Sequence, residues 1–363
     1  MIAEQLEALF GVYNEAVLAV SGSEFIYYNS AARRLLPDIE QLTPGDIFPC
    51  AVLEFKSSNF IGELDIAGRR ATYSAAWFEG ARIFSILSCD DGGATLPTAA
   101  FAAMSLEMKN YLAVLKLASS IVLPYVENTG DKRLGDYAAM INQSYYSLLR
   151  LTSNMEALSA GVDADARLRK SRFDLSQLCD ELIDACAHLV EDRGVMLSFK
   201  RPEENITILA DKAKIELMLL NMISNGLINT DKGGSVLVST VLMRESVLIS
   251  VTDTGGGISD EIKASAWNRY GEKRVLTDTK SGAGFGMAAV SQIARMHGGS
   301  VFLESRRGEG TVIAASIPVE QDGVGELSFN DPVAVYQSDG ISPFLTGLAT
   351  VLGFDKFKQK YMD

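Results

Sequence analysis

Leu219-Leu220-Asn221-Met222-Ile223-Ser224-Asn225 is followed in order by Asp253-Thr254-Gly255-Gly256-Gly257-Ile258, by Ser281-Gly282-Ala283-Gly284-Phe285-Gly286 and by Gly308-Glu309-Gly310-Thr311. The first stretch lies in an apolar helical pattern opened by Asp211, so Asn221 and Asn225, four residues apart, share one face. Their amide oxygens are hard ligands of the kind magnesium takes beside waters and phosphates. Asp253 follows a strand, where a carboxylate can accept a hydrogen bond from a ring amino group while the glycines after it let backbone come close. The third stretch enters a helix and so aims backbone N–H groups at phosphates. Any one of these is an ordinary turn or helix; four in this order form a constellation.

Working outward, residues 171–318 read as one α/β sandwich. The pattern predicts helices over Leu175–Asp192, from Asp211 through Asn229, and over Phe285–Met296, with strands at Met196–Lys200, Ser235–Leu242, Val247–Asp253, Ser300–Ser305 and Thr311–Pro318. With the four motifs in place, this region resembles the ATPase domain shared by sensor histidine kinases, DNA gyrase and the large heat-shock chaperone. The resemblance implies ATP and Mg2+ as cofactors. Asn225 matches the magnesium-binding asparagine, Asp253 the adenine-binding aspartate, and Thr311 the threonine that supports that aspartate. Gly255, Gly257, Gly282, Gly284 and Gly286 match the glycines of the two nucleotide loops. Trp267-Asn268-Arg269-Tyr270 is similar to the aromatic box between the loops, and residues 271–281 would then be a lid over the nucleotide. The pattern is broken where a lysine and an aromatic residue usually follow the magnesium asparagine, since Ile228 and Asn229 stand there; Lys232 is near enough in sequence to compensate. Asn221 adds a chemical distinction. ATPases of this fold that use water need a carboxylate at that position as general base, and an amide cannot take the proton. The site therefore resembles the kinase branch.

Residues 97–160 read as two long helices joined at Glu127-Asn128-Thr129-Gly130. Phe101, Met104, Met108, Tyr111, Leu115, Ala118, Val122 and Tyr125 recur at steps of three and four. Leu134, Ala138, Ile141, Tyr145, Leu148, Thr152 and Met155 do the same on the second helix, giving a helical hairpin with a heptad seam. One hairpin exposes too much apolar seam alone, so a homodimer with a four-helix bundle is expected. In histidine kinases the first such helix carries the phosphoacceptor, in a motif resembling Ser-His-Glu, then a basic residue, Asn or Thr, and Pro. Here the stretch is Met104-Ser105-Leu106-Glu107-Met108-Lys109-Asn110-Tyr111-Leu112, with Leu106 at the histidine position. Leucine has no nucleophilic atom and cannot accept a phosphoryl group. The chain has only two histidines, His188 and His297, and neither is on the paired helices. The bland reading of His297, in Met296-His297-Gly298-Gly299, is helix termination. Glu107 and Asn110 remain, three apart; the resemblance implies that Asn110 could position a water against a response-regulator aspartyl phosphate, while the competing reading is a solvated polar face. The motif proline is replaced by Tyr111.

The first ninety residues mix short helices and strands. Ala16–Val20 and Glu24–Tyr28 suggest a hairpin, Asn29-Ser30 a helix cap, and Phe60–Ile66, Arg70–Phe78 and Arg82–Ser88 three antiparallel strands. This resembles a PAS sensor domain. The absence of histidine there argues against haem. The net charge of −13 disfavours nucleic acid as a partner. No apolar run approaches a membrane span, no export signal is visible, and the four cysteines (Cys50, Cys89, Cys179, Cys186) are scattered, so a soluble cytoplasmic protein with reduced thiols is expected. Beyond the ATPase region, Ser342-Pro343 can start a helix apolar on one side through Phe357, to dock on a partner or, the favoured reading, to cover its own chain.

The expected fold is α+β in four parts: a PAS-like α/β sensor (1–92), a helical-hairpin dimerisation domain (93–160), an α/β sandwich ATP-binding domain of the histidine kinase/gyrase type (161–320) and a C-terminal extension (321–363). The expected function is a histidine-kinase-like pseudokinase that binds ATP with magnesium and works with a response regulator or another sensor kinase. The rivals are an aspartyl-phosphate phosphatase using Asn110 and a kinase that phosphorylates a partner in trans.

Overall fold

The computed structural model describes residues 2–11, 15–55, 59–66, 69–78, 80–89, 98–159, 168–257, 285–319 and 342–358. Helix α1 (Ile2–Phe10) precedes a hairpin of β1 (Ala16–Ser21) and β2 (Glu24–Tyr28), turned at Gly22 with φ +61°. Helix α2 (Ser30–Leu35) starts where the sequence places a cap: the Asn29 Oδ1 accepts the Ala32 N–H at 2.9 Å and also the Val17 N–H at 3.1 Å, fastening the helix to β1. Short helices α3 (Pro44–Ile47) and α4 (Cys50–Glu54) follow, then β3 (Asn59–Ile66), β4 (Arg69–Phe78) and β5 (Ala81–Cys89). The interior of this unit is filled by rings, with Phe48 stacked on Phe84 at 3.9 Å and Tyr73 edge-on to both.

Helices α5 (Thr98–Asn128) and α6 (Lys132–Ser159) form the hairpin, turned at Gly130 with φ +68°. The seam between them is not the one the sequence pattern suggests. On α5 the residues turned inward are Ser105, Leu112 and Leu123, with Met108, Lys116, Ser119 and Val126 half-buried, so apart from Met108 the contact stripe lies one position along from the predicted one. Lys116 is tolerated there because its ammonium lies 5.6 Å and 5.9 Å from the ring centres of Tyr145 and Tyr146. Met104, Tyr111, Leu115, Val122 and Tyr125 of the predicted seam are exposed, together with Val114, Leu117 and Ile121. On α6 the predicted residues divide: Ala138, Tyr145, Thr152 and Met155 are buried, whereas Leu134, Ile141 and Leu148 are exposed. Apolar spacing marks every apolar stripe of a helix and cannot say which one its own partner covers.

The third unit contains β6 (Ser171–Asp174), α7 (Leu175–Val190), β7 (Met196–Lys200), β8 (Thr207–Ala210), α8 (Lys212–Asn229), β9 (Ser235–Leu242), β10 (Ser246–Asp253), α9 (Phe285–Met296), β11 (Val301–Arg306) and β12 (Gly310–Pro318). The predicted elements are present within a residue or two, α7 ending at Val190 and running on into a 3-10 turn over Glu191–Arg193. The short pair β6–β8 is not legible in the sequence, being four residues long on each side. The other strands join those of the first unit in one sheet, ordered β2-β1-β5-β4-β3-β11-β12-β10-β9-β7. Every pairing in it is antiparallel except β7 with β9.

The two halves meet where β3 pairs with β11, Gly62 opposite Phe302. Strand alternation then decides the layers. Val247, Ile249, Val301, Leu303, Ile313 and Ala315 face the helices α7, α8 and α9, whereas Leu248, Phe302 and Ala314 turn to the opposite face and pack with Phe55 and Phe60 of the first unit. Phe55 stacks on Phe302 at 5.1 Å. Burial on both faces explains why these strands read as continuous apolar runs. The fused sheet differs from the separate sensor and ATPase layers that the sequence suggests.

The tail does cover its own chain. It is not one helix: α10 (Pro343–Gly347), capped by Ser342, gives way to turns and a 3-10 segment at Phe354–Phe357. Gly347 lies so near Leu220 of α8 that a Cβ would stand 2.8 Å from that side chain. Leu345, Leu348, Val351, Leu352 and Phe357 are buried in the same core as α6, α7 and α8. Among the described residues, no helix is long and apolar enough to cross a membrane.

Candidate functional site

Helix α8 is positioned at its start by the Asp211 cap, whose Oδ1 accepts the Lys214 N–H at 3.2 Å. His297 does more than end α9. Its Nε2 accepts the Asp211 N–H at 3.1 Å and its Nδ1 lies 2.8 Å from the Ile293 carbonyl, which assigns the proton to Nδ1 and ties the end of α9 to the start of α8. Burial pulls its pKa below 6.5, so the neutral ring is the one held. His188 is exposed in the last turn of α7.

Asn221 is 1% exposed, and its amide is committed to the hairpin. Its Nδ2 donates to Asn154 Oδ1 at 2.7 Å and to the Leu217 carbonyl at 3.0 Å, and its Oδ1 accepts from Arg150 Nη2 at 3.1 Å. Asn225, one turn on, is half-buried. Gly286, in the first turn of α9, lies against the same amide: a Cβ there would be 3.0 Å from Asn221 Oδ1 and 3.8 Å from Arg150 Nη2. The asparagine face of α8 and the start of α9 therefore converge, with α6 closing the gap.

Asp253, the last residue of β10, is buried. Its Oδ1 accepts the Gly255 N–H at 2.9 Å. Burial raises its pKa, and the backbone amides of Gly255 and Thr311 oppose the rise. Thr311 is its register partner on β12, with its hydroxyl 3.0 Å from Ser305 Oγ. The glycines after Asp253 are demanded first by the chain itself: a Cβ on Gly255 would stand 2.1 Å from the Asn229 carbonyl oxygen, and one on Gly257, at φ +66°, 2.0 Å from that of Arg306. The expectation that these glycines clear space for a ring sees only part of the reason. Lys232 lies with its aliphatic stem over Gly194, before β7, with its Cγ 2.8 Å from where a Cβ on that glycine would be. Gly282, Gly284, Trp267, the aromatic box and residues 271–281 lie outside the described residues.

A magnesium–nucleotide fits what is present: a half-buried amide at Asn225, a buried carboxylate held by two amides, and a glycine in the first turn of α9 where a Cβ would press closely on Asn221. Position 221 carries no carboxylate, so it supplies no general base for water.

On α5, Leu106 is 64% exposed, and Glu107 and Asn110 are exposed beside it. Glu107 accepts from the Tyr111 hydroxyl at 3.1 Å, and Lys109 pairs with Glu156 of α6 at 2.6 Å. Arg150 is the participant that sequence reasoning missed. Its only signal was a basic residue in the run Leu148-Leu149-Arg150-Leu151.

Residues 210–321 match the family described as histidine kinase-, DNA gyrase B-, and HSP90-like ATPase. An uncharacterized sensor-like histidine kinase of Rhizobium meliloti (strain 1021) is 30% identical over 241 residues, 64% of this chain and 45% of that protein. The histidine protein kinase DivJ of Caulobacter vibrioides is 28% identical over 216 residues, 60% of this chain and 36% of that protein. The chain thus spans less than half the length of these curated relatives. Among solved structures, full-length ShkA in complex with AMPPNP aligns with a TM-score of 0.49 at 25% identity, covering 63% of this chain and 47% of that one.

Proposed function

For a chain of the sensor histidine kinase family, with its histidine kinase-, DNA gyrase B-, and HSP90-like ATPase domain at residues 210–321, we propose a pseudokinase that binds ATP with magnesium and regulates a two-component pathway without phosphorylating a histidine of its own. The observation that carries this reading is the pairing of a retained site (Asn225, Asp253, Gly255, Gly257 and Gly286) with an exposed leucine, Leu106, at the phosphoacceptor position. Asn225 would hold the magnesium, Asp253 would accept from the adenine amino group, and the start of α9 would face the phosphates. Bound magnesium would screen the charge of the phosphates.

The first unit is read as a PAS-like sensor and the hairpin as the dimerisation domain, in a soluble cytoplasmic homodimer. The exposed apolar face of α5 and α6 supports a second copy as its cover. The partner would be a response regulator or another sensor kinase.

A second reading has its own observation. Asn110 is exposed one turn beyond Leu106, where it can meet a response regulator and orient a water at an aspartyl phosphate. Phosphorylation of a partner in trans is the third.

The test is incubation of the full chain with magnesium and γ-labelled ATP, with nucleotide binding followed in parallel and an Asn225→Ala/Asp253→Ala variant as control. Binding without label in the protein is the expected result. Label in the protein refutes the pseudokinase reading, and the labelled peptide would locate the acceptor. Loss of regulator dephosphorylation in an Asn110→Ala variant that still binds ATP would favour the phosphatase, and label passing to a partner would favour the kinase in trans.

A further inference from the structure

Arg150 is 8% exposed, and among the described residues no carboxylate lies within ion-pair distance of it. Among the described residues its guanidinium donates to neutral oxygens, Asn221 Oδ1 and Thr350 Oγ1. A buried cation with neutral partners alone is costly, because the solvation it gives up is not returned by an opposite charge. Burial accordingly pulls its pKa down, to about 10. The position is equally telling. Nη2 lies 3.8 Å from where a Cβ on Gly286 would be, at the start of α9, and beside the amide that precedes Asn225 by one helical turn. The start of α9 and the asparagine face of α8 are where the phosphates of a bound nucleotide would lie. The lysine expected after Asn225 is Ile228, and Lys232 lies over Gly194, so the site lacks the usual cation from α8.

We propose that Arg150, delivered from the helical hairpin, is a phosphate-binding residue of the nucleotide site that recognises the terminal phosphate of a nucleoside triphosphate. The inference rests on the ATP-site reading above. A guanidinium offers several donors in a planar fork, which suits a phosphate better than a neutral amide. Because Arg150 belongs to α6 and also donates to Thr350 of the tail, the terminal phosphate would report to the hairpin and the tail together. A diphosphate would leave Arg150 on Asn221.

The test is competition of AMPPNP and ADP, each with magnesium, against a fluorescent ADP analogue on the full chain. Wild type should bind AMPPNP at least ~10-fold more tightly than ADP, the scale of one charge-assisted phosphate contact. Arg150→Met should lose that preference through weaker AMPPNP binding, with ADP affinity unchanged, and Arg150→Lys should keep part of it. Thr350→Ala and Asn154→Ala, which disturb the neighbouring contacts and leave the guanidinium, should keep the full preference. If Arg150→Met does not fold, Arg150→Lys and Arg150→Gln decide in the same assay. An unchanged preference in these variants, or an equal loss for both nucleotides in a folded variant, overturns the proposal. Wild type that binds ADP but does not prefer AMPPNP overturns it while leaving the ATP site standing; wild type that binds neither overturns both.

Discussion

Replacing Phe357 with alanine should loosen the end of the tail from helix α6 while leaving the sheet intact. Phe357 is fully buried, its ring centre lies 5.6 Å from that of Tyr146, and its carbonyl accepts from Asn142 Nδ2 at 3.1 Å. Truncating a buried phenylalanine to alanine costs about 3–5 kcal/mol, through lost transfer free energy and the cavity left behind. The backbone hydrogen bond survives the substitution, so the lower end of that range is the better estimate. Elsewhere the tail is held by the buried side chains of Leu345, Leu348, Val351 and Leu352, by hydrogen bonds from Gln143 Nε2 to the carbonyls of Ala349 and Leu352, from Arg193 Nη1 to that of Val351 and from Arg150 to Thr350, and by the Lys356–Asp192 ion pair. With so short a segment, the loss falls on local opening of residues 342–358. A change of about 3 kcal/mol raises the opened population by roughly 10^2-fold. Native-state hydrogen exchange read by mass spectrometry on peptides spanning 342–358 measures this, with β1–β5 peptides as internal controls. Lys358→Ala provides the contrast. Its ion pair with Asp136 at 2.8 Å is partly exposed, and such a pair contributes about 0–1 kcal/mol, so exchange should change less than ~10-fold. If Phe357→Ala accelerates exchange in the tail by less than tenfold, or accelerates β1–β5 equally, the tail is not a separately docked segment and the reasoning fails.

Two further outcomes follow from other parts of the molecule. The His297 pKa is lowered in the fold, so the unfolded chain binds the extra proton more readily; stability should be full above pH 6.5 and decline as pH falls through the lowered value, and His297→Gln should flatten that decline in thermal melts taken at a series of pH values. Leu117→Glu/Ile121→Glu changes two exposed residues of α5, so the fold of each chain should hardly be destabilised; under the proposed homodimer, light scattering should report a dimer for the unmodified chain and a monomer for this variant, and a variant that stays dimeric removes this face as the interface.

The sequence determined the elements because their signals are local. Asp211, Asn29 and Ser342 cap helices through their own side chains, apolar runs mark the strands, the glycine motifs border element ends, and Asn221 and Asn225 stand out as polar residues within the apolar run of α8. It also determined a chemical absence: no carboxylate at 221 and no histidine at 106. The tertiary structure decided which apolar stripe of α5 meets α6, because spacing alone is the same for a stripe covered by its neighbour and one left for another chain. It decided that β3 pairs with β11, since an edge strand carries unpaired N–H and C=O groups whatever its sequence, and any compatible edge can take them. It placed Arg150 beside Asn221 across 71 residues of chain, a contact that no local pattern encodes. Side-chain type and spacing fix what each element can do; the packing of elements against one another fixes which of those capacities meet.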